Sequence, residues 1–300
     1  MSGPRVVNDL SENQGRQVPR SFVQTLAETV GSIALAQEES WHDQTPPPSG
    51  PIAPVSIGVD GTCMLMCEDH SREAMVGTIS LVDAQGERQH TTYIGASPEY
   101  GRESFFKRMT GEIEPIQKLF PAAHYQGLAE GAPETWDFLT PLTDTQVLDF
   151  YQACQYLKGV AKSRYPRSPS QPEAWLDQQC HALKHDPGAA HKILAERLEI
   201  DHTKLGKTNR ETLQAAITYF RNHAHQMNYA EAIAQHLPMG SGVTEAGGKI
   251  MVKARLGGAG MKWKEVGAAV VLSLRTLSYT KGRWPQFWAK INQYGFSLAS

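Results

Sequence analysis

At 300 residues, 40% hydrophobic and 20% charged, the chain is long enough to bury a sizeable core and has an ordinary soluble-protein composition. No apolar run reaches the roughly 18 residues of a membrane helix, and Met1–Leu10 has no basic stretch leading into an apolar one; a membrane or secreted role is not expected, and a cytoplasmic location is. The net charge of −2 hides an asymmetry: Glu245–Ser300 carries nine Lys or Arg against two acids, the pattern of a protein that grips a polyanion at one surface.

In chain order, residues 11–41 read as helical, with a start signal at Val18-Pro19-Arg20-Ser21 and Phe22, Leu26, Val30, Ile33 and Ala34 at helical spacing. The proline-rich stretch Trp41–Pro54 cannot continue a helix or join a central strand, so a boundary is expected there. Val55–Asp60, Ala74–Val82 and Gln89–Ala96 then read as three strands, with Asp83–Gly86 the turn between the last two. Ser97–Phe120 reads as a helix striped by Phe105, Met109, Ile113 and Ile116. Next come a strand over His124–Ala129 ending in Glu130-Gly131, a short helix over 133–139, and a strand over Thr145–Phe150. The order β-β-β-α-β-α-β is that of an α/β, RNase H-like core: three antiparallel strands, then crossovers adding two parallel ones, with flanking helices. From Tyr151 to His236 the pattern is all helical apart from a loop over Tyr165–Pro172, and Leu237–Gly242 is a turn opening a last helix, with Ser241 or Thr244 as its N-cap. The expected organisation is a helical segment and linker over 1–50, the first part of the core over 51–152, a helical insertion over 153–237, and the last helix with a basic tail region over 238–300.

Four cysteines, Cys63, Cys67, Cys154 and Cys180, are too few and too irregular for a disulfide framework, and no second pair at ligand spacing follows Cys63 and Cys67, so structural zinc is not expected. The candidates for chemistry are acids. Asp60 ends the first strand in Val59-Asp60-Gly61, where a rigidly held carboxylate can ligate a divalent cation while the glycine turns the chain away; a plain Asp-Gly turn is the simpler reading. Glu130 is a second acid-Gly pair, and because the fourth strand of this layout lies beside the first, the two acids converge, which is costly unless a cation or proton neutralises them. Asp149, ending the next strand, is an auxiliary or rival acid. Glu245 opens the last helix and shares a face with Lys249 and Lys253, either as an acid heading a basic stripe or as ordinary helix ion pairing.

Longer motifs then come into view: Gly58-Val-Asp60-Gly-Thr-Cys-Met-Leu-Met-Cys-Glu-Asp, Arg72-Glu-Ala-Met-Val-Gly-Thr78, Leu148-Asp-Phe-Tyr151, Gly240-Ser-Gly-Val-Thr-Glu245, Gly260-Met-Lys-Trp-Lys264 and the end Gly282-Arg-Trp-Pro-Gln-Phe-Trp. In this order, from about Gly15 to Gly295, they resemble ISKra-type insertion-sequence transposases. The resemblance implies a DDE-type core with a helical insertion before its last acid, acting on double-stranded DNA at transposon ends and target with Mg2+ or Mn2+, in paired protomers that form a homo-oligomer. Asp60 then matches the first catalytic Asp and Glu245 the last Glu, while Glu130 stands where the family's Ala-Asp-Gly-Ala has Asp. The extra methylene shifts a bound metal by about an ångström, on the order of a hundredfold in rate. Gln152 departs from the His that follows Asp-Phe-Tyr, and Gly247-Gly248 costs a helix about 1 kcal/mol per glycine.

On this reading Asp60, Glu130 and Glu245 hold the metals, with Asp149 auxiliary, and Lys249, Lys253, Arg255, Lys262 and Lys264 neutralise backbone phosphates. The competing expectation is a truncated or degenerate remnant that binds DNA without cutting it, suggested by Glu130, Gln152 and a short N-terminal region. An actin-like ATPase is suggested by Ile57–Thr62 alone and lacks its second glycine-rich loop.

Overall fold

A computed structural model describes residues 3–198 and 205–295, apart from positions 39, 42, 69, 99–101, 166, 167 and 169. Two helices, α1 (Gly3–Gln14) and α2 (Arg20–Gln37), precede the strands β1 (Ile52–Leu65), β2 (Ser71–Asp83) and β3 (Arg88–Ala96). Then come α3 (Glu103–Leu119), β4 (His124–Ala129), α4 (Pro133–Leu139) and β5 (Thr145–Leu148). Five further helices follow, α5 (Phe150–Arg164), α6 (Gln171–His185), α7 (Ala189–Leu198), α8 (Lys207–His223) and α9 (Tyr229–Ala234). The chain ends with α10 (Gly242–Gly247), a π-helical stretch (Gly248–Lys253), α11 (Ala254–Leu256), α12 (Glu265–Tyr279) and α13 (Arg283–Tyr294).

The strands form one open, mixed sheet in the order β3-β2-β1-β4-β5. β1 and β3 run antiparallel to β2, whereas β4 runs parallel to β1 and β5 parallel to β4. The core of β2, Ala74–Val82, is buried at every position, because helices cover both faces of the sheet and neither can be polar. On one face lies the stripe Phe105, Met109, Ile113 and Ile116 of α3, with Met109 and Phe105 seated over Gly77. On the other lie α10, its π-helical continuation and α12, where Met251, Val252, Leu256, Ala268 and Leu272 close over Ala74 and Val76. The helices α5 to α9 bury Leu157, Val160, Leu213, Ile217 and Phe220 in a core continuous with that of the sheet.

The predicted order of elements agrees with the structure, and several bounds are corrected. Asp60-Gly61 is not a turn: β1 continues through it to Leu65, with Asp60 opposite Val76 and Gly61 opposite Met75. Gly61 serves close approach instead, since a β-carbon there would overlap the Glu73 carboxylate. The segment read as one helix over 11–41 is two, broken where Gly15 takes a φ of 63° and Pro19 precedes α2. α3 begins at Glu103 rather than Ser97; positions 99–101 of the expected helix lie outside the described residues. The strand read to Phe150 stops at Leu148, because Asp149 caps α5.

The proline-rich stretch is anchored at its start. Trp41 packs on Phe287 and Tyr294 with ring centroids 5.8 and 6.1 Å apart. Asp43 accepts Arg283 Nε at 3.3 Å and Lys290 Nζ at 2.9 Å. α2 adds Val30, Ile33 and Ala34 to the same cluster, against Phe287 and Ile291 of α13.

Candidate active site

The parallel register of β1 and β4 runs to Gly58 opposite Leu128, and two residues further along stand Asp60, still within β1, and Glu130, just past the end of β4. Side chains alternate across a sheet, so Asp60 belongs to the face that carries α10, where Thr244 packs on Gly58 and a β-carbon on Gly248 would lie 3.9 Å from Asp60 Oδ2; Glu130 lies near enough to feel the charges of Asp60 and Glu245. Glu245, one residue after Thr244, lies in the first turn of α10. The three acids expected to act together are thus brought to one end of the sheet, from β1, the end of β4 and α10. Among the described residues, no three His, Cys, Asp or Glu side chains form a ready ligand set for a metal ion. Glu245 is exposed and turned to Lys249, its Oε1 accepting Lys249 Nζ at 2.8 Å.

Electrostatics ties the acids together. Burial raises the Asp60 carboxyl, a hydrogen bond from Gly61 N–H (2.7 Å to Oδ1) opposes the shift, and Glu73 and Glu245 add to it while Lys253 draws it back. Glu130 is pushed up to about 7, first by desolvation and then by Asp60, Asp149 and Glu245. Carboxyls raised by burial first and by neighbouring like charges second are common at functional sites. Gly131 takes a φ of 117°, open to glycine, which turns the chain away after Glu130. The Glu130 carbonyl accepts the Tyr219 hydroxyl at 2.9 Å, a phenol that burial holds well above its ordinary pKa and therefore protonated.

Asp149, expected as an auxiliary or rival acid, carries a structural task. Its side chain is buried, Oδ1 accepts Gln152 N–H at 2.7 Å as the N-cap of α5, and Oδ2 accepts both Ser241 N–H (2.6 Å) and Ser241 Oγ–H (2.8 Å). With Oδ2 saturated, Asp149 acts as a clamp that fixes the entrance to α10 beside β5. Neither expected N-cap of α10 bonds that helix's own backbone: Ser241 is spent on Asp149, and the Thr244 hydroxyl meets Thr78 Oγ1 at 2.7 Å. Gln152 contributes its main-chain N–H to this arrangement.

The glycine pair that looks unfavourable in a helix is explained by contact. Gly247 packs on Tyr93 and Val76, and a β-carbon on Gly248 would come within 2.8 Å of Thr62 Oγ1. Glycines let the helix backbone lie directly on β1 and β2, and the π-helical turn carries Lys253 toward Asp60. The basic residues are only partly free. Lys253, Lys262 and Lys264 are exposed, Lys249 pairs with Glu245, and Arg255 lies 5.2 Å from the centroid of Trp263. Arg275 donates to the Ile250 carbonyl and Arg283 and Lys290 to the acids of the N-terminal anchor, so these three cations of the basic tail are spent inside the fold.

Two neighbours escaped the sequence reading. Glu73 lies diagonally across the β1–β2 ladder from Gly61, and Arg102 at the head of α3 bridges Glu73 (2.7 Å) to Glu134 of α4 (3.6 Å). Strand register sets Glu73 beside Gly61, and the heads of α3 and α4 bring Arg102 and Glu134 to it; the one signal for Glu73 was its place in the second-strand motif. Cys63 and Cys67 are exposed thiols, and the sulfur of Cys154 hydrogen-bonds that of Cys180 across α5 and α6. Among the described residues no helix is long and apolar enough to cross a membrane. No protein-family model matches the chain, and no curated protein matches it.

Proposed function

We propose that the chain is the catalytic region of a DNA transposase with an RNase H-like core, cutting and joining DNA at the ends of an insertion sequence with Mg2+ or Mn2+. The observation that carries this reading is the convergence of Asp60, Glu130 and Glu245, whose mutual repulsion contributes to driving Glu130 up to about 7. The sheet order β3-β2-β1-β4-β5, with Asp60 on β1 and Glu130 just past the end of the adjacent parallel strand β4, supports it. So does the run of sequence motifs that resembles ISKra-type transposases.

The donors fit the proposed metal. They are carboxylate oxygens, hard ligands that suit Mg2+ and Mn2+, and a cation between them would relieve their repulsion. Asp60, Glu130 and Glu245 would hold it; when bound, such an ion stabilises the negative charge that develops on a phosphodiester under attack. The chain's own residues bind and orient the DNA. Asp60 is held by the β1 backbone and by the Gly61 N–H, which fixes the carboxyl plane. Lys249, Lys253, Arg255, Lys262 and Lys264 offer positive charge to backbone phosphates. Lys249 must exchange Glu245 for a phosphate, an inexpensive step, since an exposed ion pair contributes at most about 1 kcal/mol. That exchange also frees Glu245 to turn toward Asp60.

Asp60→Ala tests the reading. Mg2+-dependent nicking of duplex DNA should fall at least about a hundredfold while duplex affinity, measured by anisotropy, changes little; undiminished nicking would overturn it. One observation favours a second reading, a remnant that binds DNA without cutting: Glu245 is engaged by Lys249 and the acids do not close into a ligand set. Purified protein that retards duplex DNA yet never nicks it with Mg2+ or Mn2+, and gains nicking through Glu130→Asp, would establish the remnant.

A further inference from the structure

Beside the acids lies a groove that the proposed chemistry leaves unused. It is open to solvent, holds about 500 Å³, and runs between α5 and α8, walled by Tyr156, Tyr219, His223, Asn222, Gln214 and Thr218. The rings of Tyr156 and Tyr219 stack 3.9 Å apart between centroids at 17° between planes. Tyr219 is fixed from two sides: the His223 ring lies 5.0 Å from its own, and its hydroxyl donates to the Glu130 carbonyl at 2.9 Å. Gly131 packs against the same two rings, where a β-carbon would lie 3.1 Å from His223 Nε2 and 3.3 Å from the Tyr219 ring. Two residues of the groove, Tyr219 and His223, therefore abut the backbone at Glu130 and Gly131.

The wall chemistry selects among ligands. A phosphate needs fixed positive charge, and the lining has none: it holds Glu211 and, as its one ionisable base, His223. What it offers is a flat aromatic stack, two primary amides that each donate and accept, and a hydroxyl. A π-face beside amide donors and acceptors is the combination that holds a nucleobase, by stacking on its face and bonding its edge. A volume of about 500 Å³ leaves ample room for one base with its sugar outside. We infer that this groove receives one unpaired nucleobase of the strand whose phosphate lies at Asp60 and Glu130. The inference rests on the DNA-processing reading of those acids and adds what the enzyme requires of its substrate: a base already out of the stack, or one readily removed from it, beside the reacting phosphate.

Anisotropy with two short duplexes of one sequence, one fully paired and one carrying a single extrahelical adenine, tests this without metal or turnover. The protein should bind the bulged duplex about tenfold more tightly, a gain typical of one stacked base. Tyr156→Phe keeps the stack and should keep the preference, whereas Tyr156→Ala should bind both duplexes alike, with its melting temperature recorded to exclude unfolding. Equal binding of the two duplexes by the unaltered protein overturns the assignment, as does a preference that survives Tyr156→Ala. Mg2+-dependent nicking together with equal binding would remove the groove and spare the nuclease; a bulge preference abolished by Tyr156→Ala, without nicking, would do the reverse.

Discussion

Burial and neighbouring carboxyls push Glu130 up to about 7, so between the ordinary carboxylate range and neutrality the folded chain keeps a proton that the unfolded chain has released. Stability is then greatest below the unfolded pKa and falls as pH rises through the folded one, levelling off above it. Glu130→Gln cannot lose a proton, so in chelator it should equal the unaltered protein at about pH 4 and exceed it at about pH 8 by about 1 kcal/mol, the shift being discounted for solvent screening. Thermal melting across that range checks the sign, and a variant destabilised at the higher pH would contradict it. Mg2+ should raise the melting temperature of the unaltered protein and leave that of Glu130→Gln nearly unmoved. Asp60, Glu130 and Glu245 stand out in the sequence because an acid ahead of a glycine and an acid in a first helical turn are local signals, although Asp60 lies within β1 and not at its end. The role of Asp149 was half legible: an Asp just ahead of a helical run signals an N-cap, but its hold on Ser241 spans 92 residues and has no local trace.

At the scale of elements, alternation and apolar runs were sufficient to order the strands and helices, and least sufficient where tertiary contact overrides a local rule. The Asp60-Gly61 pair looked like a turn, yet Thr62 to Leu65 alternate buried and exposed as β1 extends along β2. The glycines of the last helix looked like a flaw because their cost is local and their benefit, close packing on the sheet, is not. Gly58 is the sharpest case: a β-carbon there would overlap the Thr244 hydroxyl and lie 3.0 Å from Thr78 Oγ1. Gly58→Ala should therefore lift α10 from β1, costing about 2 kcal/mol in chemical denaturation, as overpacked sites do, and carrying Glu245 away from Asp60. A stability equal to that of the unaltered protein would show that α10 has room to move.

Across the whole molecule, the N-terminal helices and the C-terminal pair α12 and α13 hold each other, and the anchor is ionic as well as apolar. Asp43, Arg283 and Lys290 have side chains 11%, 12% and 19% exposed, and Arg283 also reaches Glu112 of α3. Removing one partner from a buried group of charges strands the others, so Asp43→Ala should cost about 3 kcal/mol, read as a lower melting temperature together with faster protease cutting in Trp41–Pro54. Slow cutting at an unchanged melting temperature would mean that the aromatic contacts of Trp41 suffice.

The clamp at Asp149 has a consequence on another timescale. Phe150 N–H bonds the Met239 carbonyl at 3.0 Å and Ser241 bonds Asp149, so the chain departs into five helices and returns to nearly the point it left. A detour whose exit and entrance are stitched together can be lengthened, pruned or replaced in descent without displacing the helix that resumes after it. Lineages built on this plan are free to remodel the detour while the acid ahead of Lys249 keeps its station.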